Sequence, residues 1–239
     1  MSGMITPHGN PQNLYLYSYY NIPTLEFIKI LLPQFFIVLI LLIIIPVIFV
    51  KKEPLKLIYN DIYKVDKKRV SIYLVMFIIS LLSIFRVIPI YIGIIIITIS
   101  AIIFDRSALK TMDWDLLLTF CLFFIFSGNV SRIPAISTAL TNLLSKSVLI
   151  TGLISCQIIS NVPTAVLLSN FTNNYKELIA AVNIGSLGTL ISSLASLITL
   201  KMYLKTKKGS FANYLLLFTV INLVFLIILL LYTYLFGNI

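Results

Sequence analysis

The chain has 239 residues, of which 59% are hydrophobic and only 11% are charged, and its mean hydropathy is +1.04. Soluble domains carry about 25% charged residues, so this composition excludes a cytosolic globular enzyme and a disordered chain. The net charge of +10 is concentrated in clusters between long apolar stretches. That pattern is typical of loops in a membrane protein and does not indicate a nucleic-acid partner.

Apolar stretches recur along the chain at lengths that suit membrane helices. A helix needs about 20 apolar residues to cross the hydrocarbon core, and Leu31–Val50 meets this requirement. The other predicted spans are residues 70–85, 87–104, 114–127, 178–200 and 211–236, of which the fourth is interrupted. The sequence therefore predicts an all-α polytopic membrane protein.

The basic residues orient these spans. Lys51–Arg69 carries seven and Lys201–Lys208 carries four of the 18 Lys and Arg residues. Because basic loops remain in the cytoplasm, we expect the loops 51–69, 105–113 and 201–208 to be cytoplasmic and the protein to lie in the cell membrane.

Residues 147–168 are predicted to form a re-entrant hairpin. Full crossings by both 147–168 and 178–200 would place the loop 201–208 outside, against its charge. The centre of the segment, Ser160–Thr164 (SNVPT), carries a proline and polar side chains. Such backbone is tolerated at depth only inside protein or beside a water-filled cavity. A crossing by Ile133–Leu144 is the alternative, although 12 residues are short for a span.

Two interrupted segments resemble each other. In the span 178–200, Gly185 and Gly188 followed by Thr189 predict a break in the helix. Ser2–Leu14 aligns with Gly185–Leu197. The alignment pairs Thr6 with Thr189, Gly9 with Ser192, Asn10 with Ser193 and Asn13 with Ser196.

Each of these segments is followed by a polar link and a long final span. The first link, Tyr17–Leu25, has no basic residue, whereas the second, Lys201–Lys208, has four. Equivalent links are thus expected on opposite sides of the membrane. This pattern predicts an inverted-topology repeat with broken helices. Residues 1–50 form the end of repeat one, 51–69 form the basic loop and 70–239 form repeat two.

The stretches GMITPHGNPQNLYL, SNVPTAVLLSNF and NIGSLGTLISSLASLI resemble the ion-transporter superfamily of divalent anion/sodium symporters, citrate permeases and arsenite permeases. The resemblance implies that the chain corresponds to the C-terminal part of a family member, without the opening helices and hairpin of repeat one. It also implies a homodimer and one central site. The implied site residues are Ser160, Asn161 and Thr164 at the hairpin tip, Gly185, Gly188 and Thr189 at one break, and Thr6, Gly9, Asn10 and Asn13 at the other.

The resemblance implies secondary transport of a small anion, inorganic or carboxylate, coupled to a cation. No metal centre is expected, apart from a sodium ion at Asn161 with carbonyls near Gly185 and Gly188. Pro163 departs from the pattern of the dicarboxylate branch and argues against a dicarboxylate substrate. The alternatives are a non-transporting remnant or half-permease partner, arsenite efflux, and sodium/proton antiport.

Ionisable residues are scarce within the predicted spans. All eight acidic residues fall in links or at span ends, so a carboxylate proton relay is disfavoured. We interpret His8, the only histidine, as structural and not as a proton relay. The sequence contains no catalytic triad or phosphate-binding loop of suitable spacing, so an enzyme is not expected.

Overall fold

The computed structural model describes residues 2–49, 66–205 and 210–237. Val50, residues 51–65 of the predicted basic loop and residues 206–208 of the loop 201–208 lie outside this range. The described residues form α-helices, short links and two 3-10 turns, with no strand among them. The prediction of an all-α polytopic membrane protein is confirmed.

Twelve α-helices occur in the described residues, numbered here in chain order. They are α1 (Pro11–Tyr19), α2 (Thr24–Phe49), α3 (Lys67–Ile84), α4 (Ile90–Phe104), α5 (Arg106–Lys110), α6 (Trp114–Val130), α7 (Pro134–Lys146), α8 (Val148–Ile159), α9 (Asn161–Leu168), α10 (Tyr175–Ile184), α11 (Leu194–Leu204) and α12 (Phe211–Phe236). Among the described helices, α2 and α12 are each long and apolar enough to cross a membrane. The helices α4, α8 and α11 are apolar but shorter.

The chain divides into two compact units, and the smaller one is Ile44–Asp115. Its helices α3 and α4 pack against each other, joined by a turn in which Arg86 has a φ of +61°. Asp105 ends α4 and caps α5 by accepting hydrogen bonds from the backbone of Ser107 and Ala108. Hydrogen bonds from the Ser107 and Tyr73 hydroxyls lower the pKa of Asp105 to about 2. The crossing of the membrane by residues 70–85 and 87–104 stays a prediction.

The other unit combines Met1–Ile43 with Leu116–Ile239. Its core is formed by α8, α9 and α10, with α1 packed on α9 and α10. All eight residues of α9 are buried. An apolar helix buried on every side is expected inside a bundle and not on its lipid-facing surface.

The segment after α6 was the uncertain part of the sequence prediction. It forms α7, which is bent by 96° from α6 across a short break. Pro134 stands in the first turn of α7, where a proline is well tolerated because the missing N–H would have no helical partner. A bend of this size prevents α6 and α7 from both running along one membrane normal.

The order of elements after each predicted break is the same. A 3-10 turn and a short helix are followed by a link and a 26-residue helix, α2 in one case and α12 in the other. The short helices start at Pro11 and Leu194, which are paired in the sequence alignment. This agreement in position supports the internal repeat.

The start of α2 meets the end of α12. Glu26 and Ile30, near the start of α2, line the same cavity as Phe236 and Gly237 at the end of α12. One to two turns further along α2, Gln34 Nε2 donates to Thr233 Oγ1 at 3.4 Å. The antiparallel arrangement of equivalent helices that an inverted repeat requires stays a prediction.

Candidate functional site

The segment 147–168 folds as a helical hairpin. α8 and α9 pack on each other, and a Cβ atom placed on Gly152 would lie 3.9 Å from Leu168 Cδ1, which shows that the two ends of the hairpin meet. Ser160 forms the turn with φ +72° and ψ 160°. That conformation is largely restricted to glycine and costs a serine on the order of 1–3 kcal/mol. The re-entrant position of this hairpin in the membrane stays a prediction.

The helix 178–200 is broken, as the glycines indicate. α10 ends at Ile184 and α11 begins at Leu194, and we call the residues between them the second break. Gly188 has a φ of +106°, which favours glycine. A Cβ atom on Gly185 would lie 2.9 Å from Cys156 Cβ, so this glycine allows α8 to approach the end of α10.

One side chain of α8 fills the second break. Gln157 Nε2 donates to Gly185 O at 2.8 Å and to Leu187 O at 2.9 Å. Gln157 Oε1 accepts from Thr189 N at 2.9 Å. The amide therefore holds the first half of the irregular segment, from Gly185 to Thr189.

The residues before α1, Ser2–Asn10, form the first break. The backbone folds back so that Gly3 and Gly9 touch, and a Cβ atom on either would collide with the other. Gly9 N donates to Thr6 O at 3.2 Å. Asn10 precedes α1 in an extended conformation.

A pair of buried asparagines connects α1 to α10. Asn13 Oδ1 accepts from Asn183 Nδ2 at 2.7 Å, and both side chains are at most 1% exposed. Asn13 Nδ2 donates to Met4 O at 3.1 Å and Asn183 Nδ2 donates to Ile179 O at 2.9 Å. The first break is thus attached to α10 immediately before the second break.

The hairpin tip lies against both breaks. Ser160 Oγ donates to Ser192 O in the second break at 3.4 Å, while α9 packs on α1. A cavity of about 460 Å³ is lined by Val162 and Val166 of α9 together with His8, Gly9 and Asn10. The structure therefore places the hairpin tip at Ser160 beside the second break, and Val162 and Val166 of α9 beside Gly9 and Asn10 of the first break.

The geometry does not provide a ready sodium site at the second break. Asn161 Oδ1 accepts from Val162 N, in the first turn of α9, at 2.9 Å. The carbonyls of Gly185 and Leu187 accept from Gln157. Thr164 Oγ1 is buried and has no hydrogen-bond partner among the described residues, but one free oxygen is not a cation cage. Two carbonyls of the break are occupied by Gln157 as they are placed, and sodium binding at Asn161 with carbonyls near Gly185 and Gly188 stays a prediction.

Charged side chains lie at the edge of this unit. Glu26 accepts from Tyr175 Oη at 2.7 Å and pairs with Lys176 at 3.8 Å. Glu177 Oε2 accepts from Leu149 N at 3.2 Å. The part of the chain that the structure describes contains no group of three His, Cys, Asp or Glu residues that could hold a metal ion.

Sequence reasoning missed Gln157 and Asn183 as site residues. Each is an amide inside an apolar helix, and burial of an amide is costly unless its hydrogen bonds are formed. That cost was the available signal in the sequence that these two amides form hydrogen bonds inside the protein. Their partners, Gly185 and Asn13, lie 28 and 170 residues away, so the sequence alone does not show where the bonds go.

Membrane-length helices, a helical hairpin and a broken helix are features of membrane transporters. A family model described as citrate transporter matches residues 1–175, and the chain belongs to this family. It is 36% identical over 198 residues to an uncharacterized transporter of Methanocaldococcus jannaschii, covering 83% of this chain and 54% of that protein.

A second relative is the inner membrane protein YbiR of Escherichia coli. The identity is 35% over 113 residues, which cover 46% of this chain and 30% of that protein. The chain thus spans about half the length, or less, of the curated relatives that it matches. No solved structure matches it significantly.

Proposed function

We propose that the chain is part of a permease that carries a small anion, of the carboxylate type, across the cell membrane by cation-coupled secondary transport. The family model is that of citrate transporters, which supports a carboxylate. A broken helix inside a bundle supports secondary transport.

The observation that carries the proposal is a pair of open helix N-termini. Asn10 and Ser193, which are equivalent in the repeat, precede α1 and α11 with extended backbones, and the described structure shows no capping hydrogen bond from either side chain. Asp66, Asp105, Ser147 and Asn174 cap the helices that follow them, whereas Ser160 and Ser210, like Asn10 and Ser193, do not. Free N–H groups and the helix dipole attract anions.

Each of these two N-termini lies near the hairpin. α1 packs on α9 of the hairpin, and Ser160 at the hairpin tip bonds to Ser192, next to Ser193. An anion held by N–H groups, hydroxyls and amides needs no fixed cationic side chain and can be released when the hairpin moves.

The test is to place a carboxylate at each open N-terminus. Asn10→Asp and Ser193→Asp should cap α1 and α11, so folding is retained or improved, while the new negative charge repels the anion. We expect the apparent affinity for citrate, measured from the rise in melting temperature of the purified protein with citrate concentration, to fall about tenfold or more. Uptake of labelled citrate by vesicles with an imposed sodium or proton gradient should fall with it.

Ser210→Asp is the matched control. Ser210 precedes α12 with an extended backbone and, in the described structure, also without a capping bond, but it belongs to the link and not to a break. Ser210→Asp should leave citrate affinity unchanged. Equal losses in all three variants, or no loss at Asn10 and Ser193, would contradict the proposed anion site.

A further inference from the structure

The carboxamide of Gln157 has only one orientation that satisfies its neighbours. The carbonyl oxygens of Gly185 and Leu187 can only accept, and the N–H of Thr189 can only donate. Nε2 must therefore face the two carbonyls and Oε1 must face Thr189, as the distances of 2.8, 2.9 and 2.9 Å show. The assignment of nitrogen and oxygen follows from the bonding partners.

The position of Nε2 is one that a cation would take in an unwound helix. A cation at such a break is coordinated by carbonyls that have lost their helical N–H partners. Here two carbonyls of the second break converge on Nε2, and the partly positive NH2 group satisfies both. A cation would meet the two donor hydrogens of Gln157 before it could reach these carbonyl oxygens.

The backbone of the second break is shaped around this amide. Gly188, with φ +106°, has no Cβ atom, and an added Cβ would collide with Gln157 Oε1. Thr189 Oγ1 also donates to the backbone carbonyl of Gln157 at 3.4 Å. Helix α8 and the break therefore make contact through both the side chain and the backbone of one residue.

We propose that Gln157 is a specificity-determining residue that takes the place of a cation at the second break and closes this break to sodium. The proposal rests on the proposed function only in assigning the break to a transport site. Ion coupling through this break would then require displacement of the Gln157 side chain. Sodium binding can be measured on the protein itself, so failure of anion transport would leave this proposal standing.

The variant Gln157→Glu should convert the break into a sodium site. One carboxylate oxygen keeps the hydrogen bond from Thr189, while the other faces the carbonyls of Gly185 and Leu187. Three oxygens then converge where a donor stood, and a monovalent cation is the group that satisfies them. We expect the melting temperature of this variant to rise by about 5 °C when sodium chloride replaces choline chloride at equal ionic strength and saturating concentration.

The controls distinguish sodium binding at the second break from a general effect of adding a buried carboxylate. The wild-type protein should melt at the same temperature in both salts, and Gln34→Glu should behave likewise. Gln34 is also a buried glutamine, but its nitrogen donates to the hydroxyl of Thr233. A sodium-specific rise in the wild type, or an equal rise in Gln34→Glu, would overturn the proposal.

A second variant covers the case in which Gln157→Glu does not fold. Gln157→Ala frees both carbonyls without adding charge, so its melting temperature should drop in choline chloride and recover partly in sodium chloride. Absence of a sodium-specific response in the folded variants would show that the break binds no cation even when Gln157 is removed, and would refute the proposal.

Discussion

Single amide side chains decide how the irregular segments of this protein are held. Asn13 is fully buried, and its side chain bonds to Asn183, to Met4 O and, at 3.5 Å, to Thr6 O. A bonded amide of this kind replaces the regular helical hydrogen bonds that are lost at a break. The breaks are therefore specific structures and not loose loops.

Asn13→Ala should destabilise the protein. The substitution leaves the buried Asn183 amide and the Met4 carbonyl without this partner, at a cost of about 1–3 kcal/mol for each buried group. The measurement is the melting temperature in detergent, which should fall by several degrees.

Asn10→Ala provides the comparison for this substitution. Asn10 lies one helical turn earlier, is half-buried and makes no capping bond in the described structure. Its loss should change the melting temperature by less than half as much. Equal effects of the two substitutions would mean that the Asn13–Asn183 bond contributes no particular stability.

Prediction from sequence succeeded at the glycines and was incomplete at the amides. Gly185 and Gly188 indicated a break because paired glycines inside an apolar helix are costly unless the backbone needs them. Gln157 gave no comparable signal, since its bonds are formed only after α8 packs on the second break. The role of Asn161 as a cation ligand stays a prediction. In the structure its Oδ1 atom accepts a hydrogen bond from the backbone N–H of Val162.

At the scale of elements, the α8–α9 hairpin leads to a prediction about membrane topology. The two ends of the α8–α9 hairpin meet near Gly152 and Leu168, so the flanking residues should share one face of the membrane. Single cysteines at Lys146 and Asn173, both exposed, should react with an impermeant thiol reagent from the same side, which is the outer side.

This labelling requires a background without the exposed native thiol, Cys121→Ser. The buried Cys156 can remain, because an impermeant reagent does not reach it in the folded protein. Reaction of the two engineered cysteines from opposite sides would turn residues 147–168 into a complete crossing and would refute the re-entrant topology.

The sequence predicts the helices less well at their ends, and it does not predict the direction of α7. The hairpin bounds 147–168 agree closely with α8 and α9, because apolar stretches flank a central SNVPT motif. The stretch 133–144 was too short for a span and too apolar for a plain loop, and the sequence left it open. Its direction depends on the 96° bend after α6, which is a property of tertiary packing.

For the whole molecule, the inverted repeat predicts the sides of the two links. The start of α2 meets the end of α12, and if the two helices are antiparallel the links before them should lie on opposite sides of the membrane. With Cys121 replaced, a cysteine at Asn21 should be labelled only from outside and one at Lys205 only from the cytoplasm. Both positions are exposed.

Labelling of both positions from one side would contradict the inverted repeat. A cysteine at Asn173 serves as the internal reference for the outer side, since the hairpin experiment fixes it independently. The sequence predicted this arrangement from charge, because the first link lacks Lys and Arg and the second has four. It could not predict the packing of Gln34 on Thr233, which depends on how two distant helices meet.

The two native thiols differ in a way that gives the chain its own reporter. Cys121 on α6 is exposed, whereas Cys156 on α8 is fully buried against Gly185. A small membrane-permeant thiol reagent should modify Cys121 first and Cys156 only when α8 separates from the second break. The rate of the slower modification therefore measures how often the hairpin opens in the unmodified protein, and a ligand that holds the hairpin closed should slow that reaction.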